Sequence, residues 1–216
     1  MRNLAISAIV AAIIVGAGAG CADDTLDEEA AALTVANLPA PGSLSSPAED
    51  YAIYDASIDN VGICGDGSKR VGPQHVTSYL AGFTISATNY ATCHGFHGRG
   101  MALDIWVYGH AGKQAFADWL TANNNEMARR LGLVQIVWNY QMWRSYDGGP
   151  GRPKGGWSSY GGANPHTDHL HLSFAEAGAQ GATSFFTEVI NGGGGGGGGG
   201  SGGFYAFEAN TTELWT

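Results

Sequence analysis

A chain of 216 residues and 22.4 kDa has room for one domain of ordinary size with appendages, and not for two domains with separate cores. Its 10 Lys and Arg stand against 19 Asp and Glu, a formal charge of -9, so no basic stripe exists to neutralise a phosphate backbone and nucleic acid is not an expected partner. Apolar residues at 44% exclude a wholly disordered chain, and the 35 glycines, many of them in the run 192–200, follow no collagen-like period.

The chain opens on Arg2, a mostly apolar stretch from Leu4 to Val15 and the small residues Gly16 to Gly20. That order reads residues 1–20 as a secretory signal peptide, because the apolar stretch would span only ~18 Å as a helix against a hydrocarbon core of ~30 Å. Cys21 follows directly, and a cysteine behind small residues resembles the bacterial lipobox, in which that cysteine is lipidated. Gly18 departs from the larger apolar residue usual there, so cleavage with free release is the alternative. The expected location is therefore exported, as a cell-envelope lipoprotein that meets the membrane only through lipid on Cys21, or extracellular. With Cys21 set aside, Cys64 and Cys93 are an even pair in an exported chain, and a disulfide between them is expected.

Residues 21–50 are rich in Ala, Asp, Glu, Ser and Pro without apolar periodicity and read as a disordered, solvated stalk. Residues 51–190 interleave apolar, aromatic and turn residues as the globular domain. Residues 191–203 form a Gly-rich linker, and 204–216 read as a hairpin-like tail or a truncated β module, to which no function is assigned.

Within the domain, 101–108 reads as a strand with Ala102, Asp104 and Trp106 on one face and Met101, Leu103, Ile105 and Val107 on the core face. Ala111, Ala115, Phe116, Trp119 and Leu120 recur at helical spacing and continue past Asn123 to Asn125 as one helix or two short ones. Residues 133–138 and 140–146 read as strands, 148–162 as a Gly and Pro rich loop, and 169–174 as a last strand. The sum is an α+β domain, an antiparallel sheet with flanking helices.

Five of seven histidines crowd into His94-Gly95-Phe96-His97 and His166-Thr167-Asp168-His169-Leu170-His171, and clustered His with Asp points to metal. His169 and His171 are two apart in a strand, so both rings emerge on one face. His97 lies seven residues before Asp104, across a glycine turn and a strand entry, so an imidazole and a carboxylate can converge.

The pattern His97-x-x-Gly100-x-Ala102-x-Asp104, followed by Asp168-His169-x-His171, resembles the two-part signature of the zinc D-alanyl-D-alanine peptidases. That family shares its fold with the hedgehog signalling domain. The resemblance implies a hedgehog/DD-peptidase-like fold and Zn2+ held by His97, Asp104 and His171. Two imidazoles and one carboxylate leave a fourth tetrahedral position open, as in catalytic sites. It further implies an acid three residues before the last ligand, where Asp168 replaces the usual Glu; His169 is the alternative base. Gly95 stands where the family usually has Ser.

The implied activity is hydrolysis of peptidoglycan peptides by a monomer, as carboxypeptidase or endopeptidase. The alternative is a non-catalytic, zinc-stabilised module that binds cell wall or protein. Arg70, Arg99 and Arg144 are candidate partners for a substrate carboxylate. Trp138, Trp143, Trp157 and Tyr160 either wall a groove or pack the core, and His166 either supports the ligands or lines the rim.

Overall fold

The computed structural model describes residues 38–58, 70–80, 84–86, 95–107 and 109–191. The signal segment 1–20, Cys21, the Cys64–Cys93 pair, the run 192–203 and the tail 204–216 lie outside the described residues. In chain order the strands are β1 (Thr84–Ser86), β2 (Ala102–Trp106), β3 (Leu133–Trp138), β4 (Gln141–Arg144), β5 (Gly156–Ser159) and β6 (Leu170–Phe174). The helices are α1 (Val71–Tyr79), the single turn α2 (Gly95–Gly98), α3 (Gly109–Arg130) and the single turn α4 (Glu176–Ala179), followed by a π-helical segment, Phe185–Ile190.

All six strands join one antiparallel sheet in the order β1-β2-β6-β3-β4-β5. The α+β reading with an antiparallel sheet and flanking helices therefore holds. The last strand in sequence, β6, lies between β2 and β3, and the register follows the period-two alternation. Leu172 pairs with both Leu103 and Ile136, a cross-strand row that is wholly buried. Burying each such side chain stabilises the fold by about 1.5–3 kcal/mol. One residue along, His171 pairs with Asp104 and Val137, and that row faces the opposite side of the sheet.

The long helical stretch α3 is two helices: Ala122 leaves helical geometry and Asn123, Asn124 and Asn125 follow at φ 48, 58 and 60°. Asparagine tolerates this left-handed region better than most side chains. The break turns the Asn125 amide inward, where it accepts from Trp143 Nε1 at 2.7 Å and donates to the Tyr51 hydroxyl at 2.8 Å and the Gly155 carbonyl at 3.0 Å. Trp143 is thereby fixed in the core, not in a groove wall.

Two expectations need correction. The glycine and proline rich stretch 148–162 contains β5, which pairs with β4 through Trp143 and Trp157. An edge strand of four residues between turns carries too little alternation to announce itself. The stalk reading of 21–50 does not hold for residues 38–50, which lie along the domain. Trp119 Nε1 donates to the Pro39 carbonyl at 2.8 Å, and Leu38 and Leu44 pack on the core. Arg130, 2% exposed, binds Glu126 at 2.9 Å, Ser184 Oγ at 3.0 Å and the Ser46 side chain and carbonyl. A buried guanidinium must find acceptors, and this polar segment supplies them.

Candidate metal centre

His97 sits in the one-turn helix α2, which Gly95 opens at φ 49°, a conformation that a serine at this position would strain. Donation from Gly100 N–H to the His97 carbonyl at 2.9 Å and from Met101 N–H to the Phe96 carbonyl at 2.8 Å closes the turn and leads straight into β2. Asp104 then stands on β2 directly opposite His171 on β6. His97 Nε2 lies 3.0 Å from His171 Nδ1 and 3.4 Å from Asp104 Oδ1, and His171 Nδ1 lies 2.9 Å from Asp104 Oδ1. Ligand bonds of about 2.0–2.2 Å in a tetrahedron separate donors by about 3.3–3.6 Å, so the triangle fits one divalent ion after a small expansion.

Burial alone would raise the Asp104 pKa, but hydrogen bonds from His171 and His97 reverse this and hold the carboxyl well below the ordinary range. His171 is pushed down, chiefly by burial, towards the neutral form that a ligand needs. Its far nitrogen, Nε2, meets Ser173 Oγ at 2.8 Å, and Ser173 is fully buried. With Nδ1 given to a metal ion, Nε2–H would donate to this hydroxyl and fix the ring. Ser173 was not singled out from sequence, although the alternation that aligns His169 with His171 also places it on that face.

His169 precedes β6, with Asp168 still in the loop, and the ring stacks on Trp106 at 4.5 Å between centroids. Its Nδ1 lies 2.8 Å from Asp168 Oδ1, while its Nε2 lies 3.7 Å from Asp104 Oδ1. Asp168 is largely exposed and accepts a second bond from Trp106 Nε1 at 3.4 Å. The group of ligand atoms all within 4.8 Å of one another comprises His97, Asp104 and His171. His169 is thus beside the triad, and Asp168 is behind His169.

His97, Asp104, His169 and His171 floor a cleft of about 430 Å3 whose walls include Phe96, Trp106, Met142 and Tyr160, with the carboxamides of Gln135 and Asn164. Gln135 was not singled out from sequence; its amide donates to the Tyr146 hydroxyl at 2.8 Å. His166 lines the cleft too, its Nδ1 2.7 Å from the Asn164 carbonyl, and burial followed by the nearby His171 lowers its pKa to about 4. Trp138 is buried and Trp157 packs against the core, so Tyr160 alone of the four aromatic candidates lines the cleft. None of Arg70, Arg99 and Arg144 lines it. His110 is exposed and lies near Trp138, and His94 falls outside the described residues.

Fold and site together define an α+β protein with a buried His-Asp-His group able to hold a metal ion. A family model described as the VldE C-terminal domain matches residues 67–171, a stretch that carries all three donors and both Asp168 and His169. No curated protein and no solved structure matches the chain. Among the described residues no helix is long and apolar enough to cross a membrane.

Proposed function

We propose that this protein is an exported zinc metallopeptidase that hydrolyses amide bonds in peptidoglycan peptides and is held at the cell envelope through Cys21. The carrying observation is the convergence of His97 Nε2, Asp104 Oδ1 and His171 Nδ1 within 3.4 Å on the floor of an open cleft. Two imidazoles and one carboxylate suit zinc and leave a position for substrate. A divalent ion held there supplies Lewis-acid chemistry, polarising an amide carbonyl and making water a better nucleophile.

The rest is done by the chain. Donation from His169 Nδ1–H to Asp168 leaves the Nε2 lone pair turned to the Asp104 side of the cleft. His169 is therefore the group placed to take a proton from the attacking water and return it to the leaving nitrogen. Asp168 acts through His169, setting its tautomer by accepting from Nδ1–H, and this geometry favours the histidine over the aspartate as the base. Hydrolysis balances as one water consumed: the C–N bond breaks, the acyl carbon gains the hydroxyl and the amine nitrogen gains the proton.

Purified protein is expected to hold about one zinc per chain, to release new amines from peptidoglycan peptides, and to lose both metal and activity in His97→Ala. Hydrolysis that survives in verified metal-free protein overturns the reading. Binding of cell wall without any amine release would instead support the non-catalytic module.

A further inference from the structure

We infer that Trp106 is a positioning residue, which holds Asp168 and His169 as one unit by meeting the carboxylate with its indole N–H and the imidazole with its ring face. This rests on the reading of His169 as the base and adds the residue that keeps that base in place.

The sheet register explains why Trp106 is there. β2 and β6 pair as far as Ile105 with Leu170, where β6 begins. One step further the antiparallel register sets Trp106 opposite His169, on the face that carries Asp104 and His171. That step forms no ladder pair, so side chains take over the task of holding the incoming loop. The two rings stack with centroids 4.5 Å apart and planes 30° from parallel.

The same indole reaches Asp168. Its Nε1, which can only donate, lies 3.4 Å from Asp168 Oδ2, while Asp168 Oδ1 lies 2.8 Å from His169 Nδ1. Three side chains thus close a ring of contacts, and each carboxylate oxygen has its own donor. The second donor matters because Asp168 is 68% exposed: a surface carboxylate held through one oxygen turns about a soft torsion and trades its partner for water. His166 also meets the His169 ring, tilted, at 4.9 Å, but its Nδ1 faces the Asn164 carbonyl. Lys113 is near enough to feel the Asp168 charge, yet a flexible ammonium does not set the plane of a carboxylate. Trp106 touches both members of the pair.

Trp106 lines the cleft too, so the rival role is a wall that substrate touches. A wall acts on substrate binding, and a positioning residue acts on the step after it.

The test uses the zinc-loaded full chain and two variants: Trp106→Phe keeps a ring to stack and removes the N–H, and Trp106→Leu removes both. Two readouts are taken at about pH 8, above the ordinary imidazole range. One is the tautomer of His169, from long-range proton–nitrogen NMR correlations of histidine-labelled protein, assigned with His169→Gln. The other is kcat and KM on a peptidoglycan peptide. Wild type should show His169 as a single Nδ1–H tautomer. Trp106→Phe should mix the tautomers and lower kcat several-fold with KM unchanged, and Trp106→Leu should do more of both. Zinc stoichiometry and circular dichroism check the fold, and if Trp106→Leu is not folded, Trp106→Phe decides. A wild type without the Nδ1–H form, or a tautomer unchanged in the folded variants, overturns the inference whatever happens to the rates. So does an intact kcat in the variants, with or without a change in KM, when wild type cleaves. If wild type does not cleave, the hydrolase reading fails and the tautomers alone decide: mixing in the variants sustains the inference.

Discussion

Ser173 has no charge to advertise it, yet its hydroxyl lies 2.8 Å from His171 Nε2 in a fully buried position. Removing it leaves the ring without the partner that holds Nδ1 towards Asp104. Ser173→Ala should weaken zinc binding about 10–100-fold, read by competition against a chromophoric chelator, with the fold retained by circular dichroism. Asp104→Asn should abolish stoichiometric metal altogether, because the triad then loses its one negative donor. The three donors were legible because His97-x-x-Gly100-x-Ala102-x-Asp104 and Asp168-His169-x-His171 resemble a zinc-peptidase signature; strand alternation by itself aligned His169 with His171 and did not choose between them. Ser173 obeys the same alternation but is not part of that pattern. The relation of His169 to Asp168 was not legible: it depends on β6 starting at Leu170, a boundary that one-residue periodicity does not fix.

At the scale of elements, α1 and α4 meet through backbone. A Cβ added at Gly72 would lie 1.9 Å from the Gly178 carbonyl oxygen, a contact that backbone cannot yield to cheaply. Gly72→Ala should destabilise the fold by about 1–3 kcal/mol, seen as a lower urea midpoint with an unchanged slope. The second half of α3 carries a charge pair that gives stability a pH dependence. Burial would raise the Glu126 pKa, but hydrogen bonds from Asn123, Arg130 and the Gly42 N–H outweigh it and the net shift is downward. A carboxyl whose folded pKa is depressed stabilises fully above its ordinary value near 4.5 and loses that contribution as pH falls through the folded value. Glu126→Gln should therefore flatten the acid limb of a denaturation profile below about pH 4.5 and lower stability at neutral pH. The asparagine run that splits α3 was visible as a break, since three successive residues that tolerate left-handed backbone interrupt the apolar spacing. The edge strand β5 was not, because turns flank it on both sides.

For the whole molecule, the segment 38–50 belongs to the domain and not to a tether. Deleting it strips the Ser46 acceptors from Arg130 and the Gly42 donor from Glu126, and uncovers Trp119. A chain beginning at Tyr51 should melt lower by on the order of 5 °C, measured by calorimetry on matched samples. Composition alone hid this, since the residues that satisfy a buried charge are the same polar, proline-rich types that fill unfolded linkers.

The hairpin between β3 and β4 turns on Asn139 and Tyr140, whose amides donate to the His166 and Pro165 carbonyls at 2.9 Å each. Those two bonds stitch the root of the loop bearing Asp168 and His169 to the rigid centre of the sheet. The loop beside the cleft is thus tethered at its root: deuterium uptake at these two amides should stay slow with or without bound zinc.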